Sequence, residues 1–148
     1  MFRIAAPAAF ALALVASTTL LAQEPSAEEV IRPGYWKYDT QAGFGLLNDT
    51  DFRCVRPQDR AKFLEPCNRH NVCTYQVKTF AGGRARYEGV WVDKEDGKRV
   101  RVKAEGTYSE RRYQLNATLS DVLGPIPVKG TITATWQSDT CPPGTRNP

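Results

Sequence analysis

The sequence predicts a mainly β fold. The expected form is an antiparallel meander of about six to eight strands, curled into a curved sheet or incomplete barrel, with one short α-helix. Three observations predict it. Hydrophobic residues alternate with polar ones from Arg99 to Trp136, the period of strands with one packed and one wet face. Short turn signals separate the runs: Ala81-Gly82-Gly83, Glu95-Asp96-Gly97-Lys98, Ser109-Glu110 and Leu123-Gly124-Pro125. A single stretch, Arg56 to Leu64, carries helix signals. A β-sandwich is the alternative architecture.

The chain of 148 residues opens with Arg3 and then an apolar run, Ala5 to Leu21, broken only by Ser17, Thr18 and Thr19. This is the layout of a secretory signal peptide, residues 1–22, cut after Ala22. An uncleaved anchor is the competing reading, since the run sits at the lower edge of a spanning length. After cleavage no transmembrane segment is expected, and the localisation is periplasmic or secreted. Residues 23–32 are polar and read as a flexible leader. A single β-rich domain is expected over 33–141, followed by a disordered tail, 142–148.

Within the domain, YWKYDT (35–40) is a first strand with Trp36, Tyr38 and Thr40 on one face. Asp51 to Val55 reads as a short second strand. Pro57 suits a first helical position, where its missing N–H costs nothing. Asp59 suits the first turn, and Pro66 ends the helix. Cys73, Tyr75 and Val77 then alternate with Thr74, Gln76 and Lys78. The strand from Arg84 to Asp93 is ambiguous: Ala85, Tyr87 and Trp91 fall on one face, Val90 and Val92 on the other. The last three strands are clear. Val100 to Tyr108, Tyr113 to Leu119 and Ile126 to Trp136 each turn an apolar set inward. Short turns mean that consecutive strands pair.

The formal charge of +4 falls by one when the signal peptide is removed. The basic residues alternate with apolar ones rather than clustering, so no nucleic-acid partner is expected. All four cysteines, Cys54, Cys67, Cys73 and Cys141, follow the leader. An even count in a small exported domain points to disulfides, and three pairings are open.

Several motifs occur in a familiar order: PGYW (33–36), CVRPQD (54–59), FLEP (63–66), CTYQV (73–77) and SDTC (138–141). Together they resemble the bacterial exported family catalogued as domain of unknown function 3617. That family looks like PGLWE near its start, then C-[LV]-[ST]-P-E-[DE], with a terminal Gly-x-Cys. Here Tyr35 and Lys37 replace Leu and Glu, and Gln58 replaces Glu. Arg56 stands where Ser or Thr would cap the helix. The strand RARYEGVWV lacks the cysteine that the family pattern often carries, and Cys67 is present instead. The resemblance therefore implies a pairing: Cys67 rescues Cys73, leaving Cys54 for Cys141. It implies a fold and a compartment, and no catalytic residue.

The chemistry offers no catalytic constellation. Cys54, Cys67, His70 and Cys73 are formally a Cys3His zinc set, but they lack a tight C-x2-C and would strand Cys141. No metal or other cofactor is expected. A nucleophilic cysteine needs a thiolate and a base, and His70 is the one histidine. Asp49, Asp51, Asp93, Glu95 and Asp96 read as loop acids. No nucleophile elbow, P-loop or dinucleotide fingerprint is present.

Aromatic residues are the remaining signal. Trp36, Tyr38, Tyr75, Trp91, Tyr108, Tyr113 and Trp136 are candidates to line a ligand cavity inside the curved sheet; the plain alternative is that they fill the core. The favoured function is a non-catalytic exported domain that binds an apolar small molecule, lipid or envelope component. The alternative is an envelope structural or interaction module that meets a protein partner through a basic outer face, Arg99, Arg101, Lys103 and Arg112. A hydrolase ranks last.

Overall fold

The computed structural model describes residues 26–148, apart from 44 and 46. The expected signal peptide and residues 23–25 of the expected leader lie outside them. Seven strands form one unclosed antiparallel sheet: β1 (Gly34–Ala42), β2 (Leu47–Val55), β3 (Asn71–Ala81), β4 (Arg84–Asp93), β5 (Arg99–Ser109), β6 (Arg112–Leu123) and β7 (Ile126–Ser138). Their order across the sheet is β2-β1-β7-β6-β5-β4-β3. The sheet is curved and open, and among the described residues there is no second layer of strands.

Consecutive strands pair from β3 to β7, as the short turns require. One connection departs from the simple meander. β2 and β3 are neighbours in sequence yet form the two opposite edges, while β1 closes onto β7. The reason lies between them. Residues 56–70 hold a 3-10 turn, Pro57–Asp59, and a short helix, α2 (Arg60–Leu64). This segment is too bulky for a hairpin loop, so it crosses the concave face and buries Phe63 and Leu64 there. Arg56 makes no side-chain cap bond at its start, as expected for Arg at a capping position.

Burial follows the alternation. Trp36 and Tyr38 of β1, Ala85 and Tyr87 of β4, Ala104 and Tyr108 of β5, Tyr113 and Leu115 of β6 and Ala134 of β7 are buried. The ambiguous strand β4 therefore turns Ala85 and Tyr87 inward. β3 departs from strict alternation. Its register shifts between Tyr75 and Val77, which sends Val77 to the outer face and Lys78 to the inner one. Lys78 then pairs with Glu65. A bulge and an inward charge both discourage edge-to-edge pairing, and β3 is an edge. Opposite the bulge lies Gly89, where an added Cβ would collide with the Thr74 carbonyl and the Tyr75 ring.

Defined elements occur at both ends, where a flexible leader and a disordered tail are expected. The expected leader is structured from Ser26. A one-turn helix, α1 (Ala27–Val30), starts with a capping box between Ser26 and Glu29. Ala27 is buried and Ile31 fully so. Burying Ile31 is worth about 1.5–3 kcal/mol, enough to hold a polar segment that carries one large apolar residue. The tail is also placed. The Arg146 carbonyl accepts from Cys54 N at 2.8 Å, and its guanidinium pairs with Asp51. The tail thus covers part of the free edge of β2. Asp49 and Asp51 lie within that strand rather than in a loop.

Disulfides join Cys54 to Cys141 and Cys67 to Cys73, with Cα separations of 5.7 Å and 6.0 Å. The first ties β2 to the tail; the second ties the end of the crossing segment to β3. Their sequence separations are 87 and 6. Replacing Cys54 and Cys141 by Ser should cost about 4–5 kcal/mol on a chain-entropy basis, against about 2–2.5 kcal/mol for Cys67 and Cys73. Urea unfolding of the two double variants checks the order; equal losses would contradict it.

Candidate functional site

The concave face is the natural place for a site, and its two halves differ. Over the half nearest Gly34 lies α2. Phe63 packs on Trp36 (ring centroids 4.9 Å), Tyr38 (6.2 Å) and Tyr113 (6.1 Å). Leu64 ends the helix, and the last carbonyls of a helix lack intrahelical partners. Here the Leu64 carbonyl accepts from the Tyr113 hydroxyl at 2.7 Å and from the Tyr87 hydroxyl as well. The two hydroxyl oxygens are 3.3 Å apart. The helix is therefore a plug, held by its side chains and clamped at its end.

The phenols are suited to that task. Burial pushes the Tyr87 and Tyr113 hydroxyls well above the ordinary tyrosine value. Burial also raises Tyr38, against the opposing Arg53 guanidinium 3.8 Å above its ring, and pushes Tyr75 up to about 12. All four keep their protons, and so remain hydrogen-bond donors, far into the alkaline range.

The sequence-predicted aromatic residues accordingly divide. Trp36, Tyr38 and Tyr113 are buried in the core against Phe63, and Tyr108 is buried in the same core, edge-on to Phe80. Tyr75 and Trp91 are partly buried beside the Cys67–Cys73 end of the crossing segment, with Trp91 Nε1 donating to the Tyr75 hydroxyl at 3.1 Å. Trp136 is part of neither group. It sits at the sheet end, between the Arg32 and Arg111 guanidiniums at 4.6 and 4.9 Å, and donates to the Pro33 carbonyl. Phe63 is the key residue missed by sequence reasoning. The available signal was that Phe63 and Leu64 are the large apolar residues of an otherwise polar segment.

Beyond the plug the inner face changes character. Thr40, Ala117, Leu119, Val128 and Ile132 share this face by register and are only partly buried. At the rim Ile126 is 68% exposed. The result is an aliphatic trough at the end of the sheet away from α2.

Part of the acids and of the basic outer face is engaged with neighbouring groups. Arg101 grips Asp121 through two nitrogens, Lys103 reaches Glu88 at 3.7 Å, and Arg112 bonds Gln114. Asp93 accepts from the backbone of Glu95 and Asp96, a turn geometry. Among the described residues no group of three or more His, Cys, Asp and Glu side chains is arranged to hold a metal.

The clamp yields a prediction in two parts. Tyr87→Phe or Tyr113→Phe alone leaves one donor on the Leu64 carbonyl and should cost about 0.5–1.5 kcal/mol. The double variant strands a buried acceptor and should lose about 1–3 kcal/mol beyond the sum; additive losses in a double-mutant cycle would contradict the clamp. The pH dependence follows from the same phenols. Above the unfolded tyrosine value near 10 the unfolded chain releases protons that the folded chain keeps. Stability is therefore full below that pH and falls above it. Absorbance at the tyrosinate band should show Tyr38, Tyr75, Tyr87 and Tyr113 titrating together with unfolding.

The comparisons with known proteins place this geometry in a family. No curated protein and no solved structure matches the chain. The model of a family described as a protein of unknown function, DUF3617, matches residues 31–141. That span begins at the buried Ile31 and ends at the cysteine that closes on Cys54. It includes every strand, the plug and both disulfides, so the chain belongs to the DUF3617 family.

Proposed function

We propose that this protein is an exported, non-catalytic binding domain that takes the acyl chain of an envelope lipid into the trough beyond α2. The observation that carries the reading is the contrast within one face. One half is sealed by Phe63 and Leu64; the other presents Leu119, Val128 and Ile132 partly open to solvent, with Ile126 exposed at the mouth. Apolar groups lining a concave surface that no element covers among the described residues are what an alkyl chain fits. Burying about twelve methylenes gives on the order of 10 kcal/mol gross. Association costs of at least about 4 kcal/mol leave an affinity in the range of tens of micromolar.

The compartment and the absence of chemistry have their own support. Two disulfides in a small domain suit an oxidising environment, as does the leader-like N-terminal sequence. Among the described residues no helix is long and apolar enough to cross a membrane. The acids displaced from their ordinary values all move down. Hydrogen bonds from Thr50 and Lys37 hold Asp39 low. Burial pushes Asp51 up, but Arg146 and Arg53 outweigh it. Arg86 and Arg101 hold Glu88 and Asp121 low. Carboxylates tuned away from neutrality are poor general acids and bases at pH 7.

The test is displacement of a fluorescent fatty acid, such as parinaric acid, by palmitate. Saturable binding should fall at least tenfold in Leu119→Gln, with near-UV dichroism unchanged. No saturable binding to the native protein, or equal binding to the variant, would contradict the acyl-chain reading.

A further inference from the structure

The outer face of the sheet is chemically divided. Over β4 and β5 it is an ionic ladder, with Arg86 paired to Glu88 along β4, Arg86 to Glu105 and Lys103 to Glu88 across the strands, and Arg101 joined to Asp121. Over β2, β1, β7 and β6 it is a grid of short, mostly neutral side chains. The register sets the rungs: Thr50, Asp39, Thr133 and Gln114 form one, and Asn48, Gln41, Thr131 and Asn116 the next. A solvated sheet face normally mixes charges of both signs, so solubility alone does not account for the neutral half.

The neutral half is also where the surface is hollowed. One open cleft of about 480 Å³ has Gln41, Asn116, Thr118, Lys129 and Thr131 among its walls. A second of about 370 Å³ is walled by Lys37, Asp39, Asn48, Asp49, Thr50 and Thr133, with Thr40, Gln41 and Thr131. Gln41 and Thr131 belong to both, so the clefts adjoin and run across the strands as one furrow. Next to it, Phe52 is opposite Lys37 in register. Phe52 stacks on Tyr35 at 5.3 Å, with ring planes 13° apart, and remains 41% exposed.

We propose that this furrow is a binding site for a neutral oligosaccharide lying across the strands. Threonine hydroxyls and Asn and Gln amides both donate and accept, as sugar hydroxyls do. Asp39 adds a fixed acceptor: Thr50 Oγ1 donates to it at 2.7 Å and Lys37 pairs with it at 2.9 Å. Phe52 offers an aromatic face to the apolar C–H face of a pyranose, attracted by the ring quadrupole. Adjacent strands are about 4.8 Å apart, close to the repeat of an extended glycan, so successive sugar units meet successive strands. A phosphate or nucleic-acid ligand requires a run of unpaired cations along its path; Lys37 is paired with Asp39, which leaves Lys129 as a single cation among the furrow's walls. An acyl chain requires an apolar floor, which lies on the opposite face. The site is thus independent of the acyl-chain reading.

Nitrogen-15 amide spectra of the purified protein, titrated with cellohexaose, chitohexaose and maltohexaose, provide the test. At least one probe should give saturable shifts centred on Gln41, Thr131 and Asn116. Thr131→Val keeps the β-branched shape and removes the hydroxyl; Phe52→Ala removes the platform. Each should weaken binding at least tenfold, while unshifted β4 and β5 amides report an intact fold. No saturable shift with any probe, shifts confined to the concave face, or undiminished binding in both variants would overturn the proposal.

Discussion

The Leu64 carbonyl is the point on which the concave face depends. A five-residue helix has little stability of its own, and its end exposes carbonyls that need donors. Tyr87 from β4 and Tyr113 from β6 supply them. Because the two strands flank β5 in the sheet, the clamp joins the helix end to the middle of the curved face. Phe63 can then pack against Trp36 and Tyr38 without leaving a buried polar group unpaired beside it. Removing the clamp would expose apolar surface on both partners and leave the Leu64 carbonyl unsatisfied.

The plug also explains the topology. A closed barrel would pair β2 with β3, since β1 already pairs with β7. Instead the tail lies along part of the β2 edge, and the intervening segment packs across the inner face. Its two ends are stapled separately: Cys54 lies just before it and is tied to the tail, while Cys67 near its far end is tied to Cys73 on β3. The tail and the β3 bulge protect the two edges that remain. The same short helix fixes where a ligand can sit, because it seals one end of the inner face and stops before the other.

Much of this was legible in the sequence, and the failures have physical causes. The inward sets of β5, β6 and β7 could be read directly, because alternation is unbroken over the stretches that carry them, in β6 from Tyr113 to Leu119, before its register shifts. β3 could not: its bulge is a relation between two strands, and it turned Lys78 inward where alternation placed Val77. The edge positions of β2 and β3 depended on where the helix packs, which residue order does not encode. Ser26 and Glu29 were a visible capping-box pair, but the segment looked too polar to fold, and its one large apolar anchor, Ile31, was outweighed. The candidate site was legible in part. The aromatic residues were found, but the choice between lining a cavity and filling the core could not be read from them, because the plug they pack on is clamped through a backbone carbonyl, which has no sequence signature. The outer furrow lay within the polar residues that alternation marks simply as exposed.

Native-state hydrogen exchange at α2 tests the account most directly, because it reports whether the plug opens separately from the sheet. If the helix is clamped into the core, the amides that close its hydrogen bonds should open only with the global unfolding that also exposes β6. Exchange of those amides through a low-energy local opening, while β6 stays protected, would contradict it.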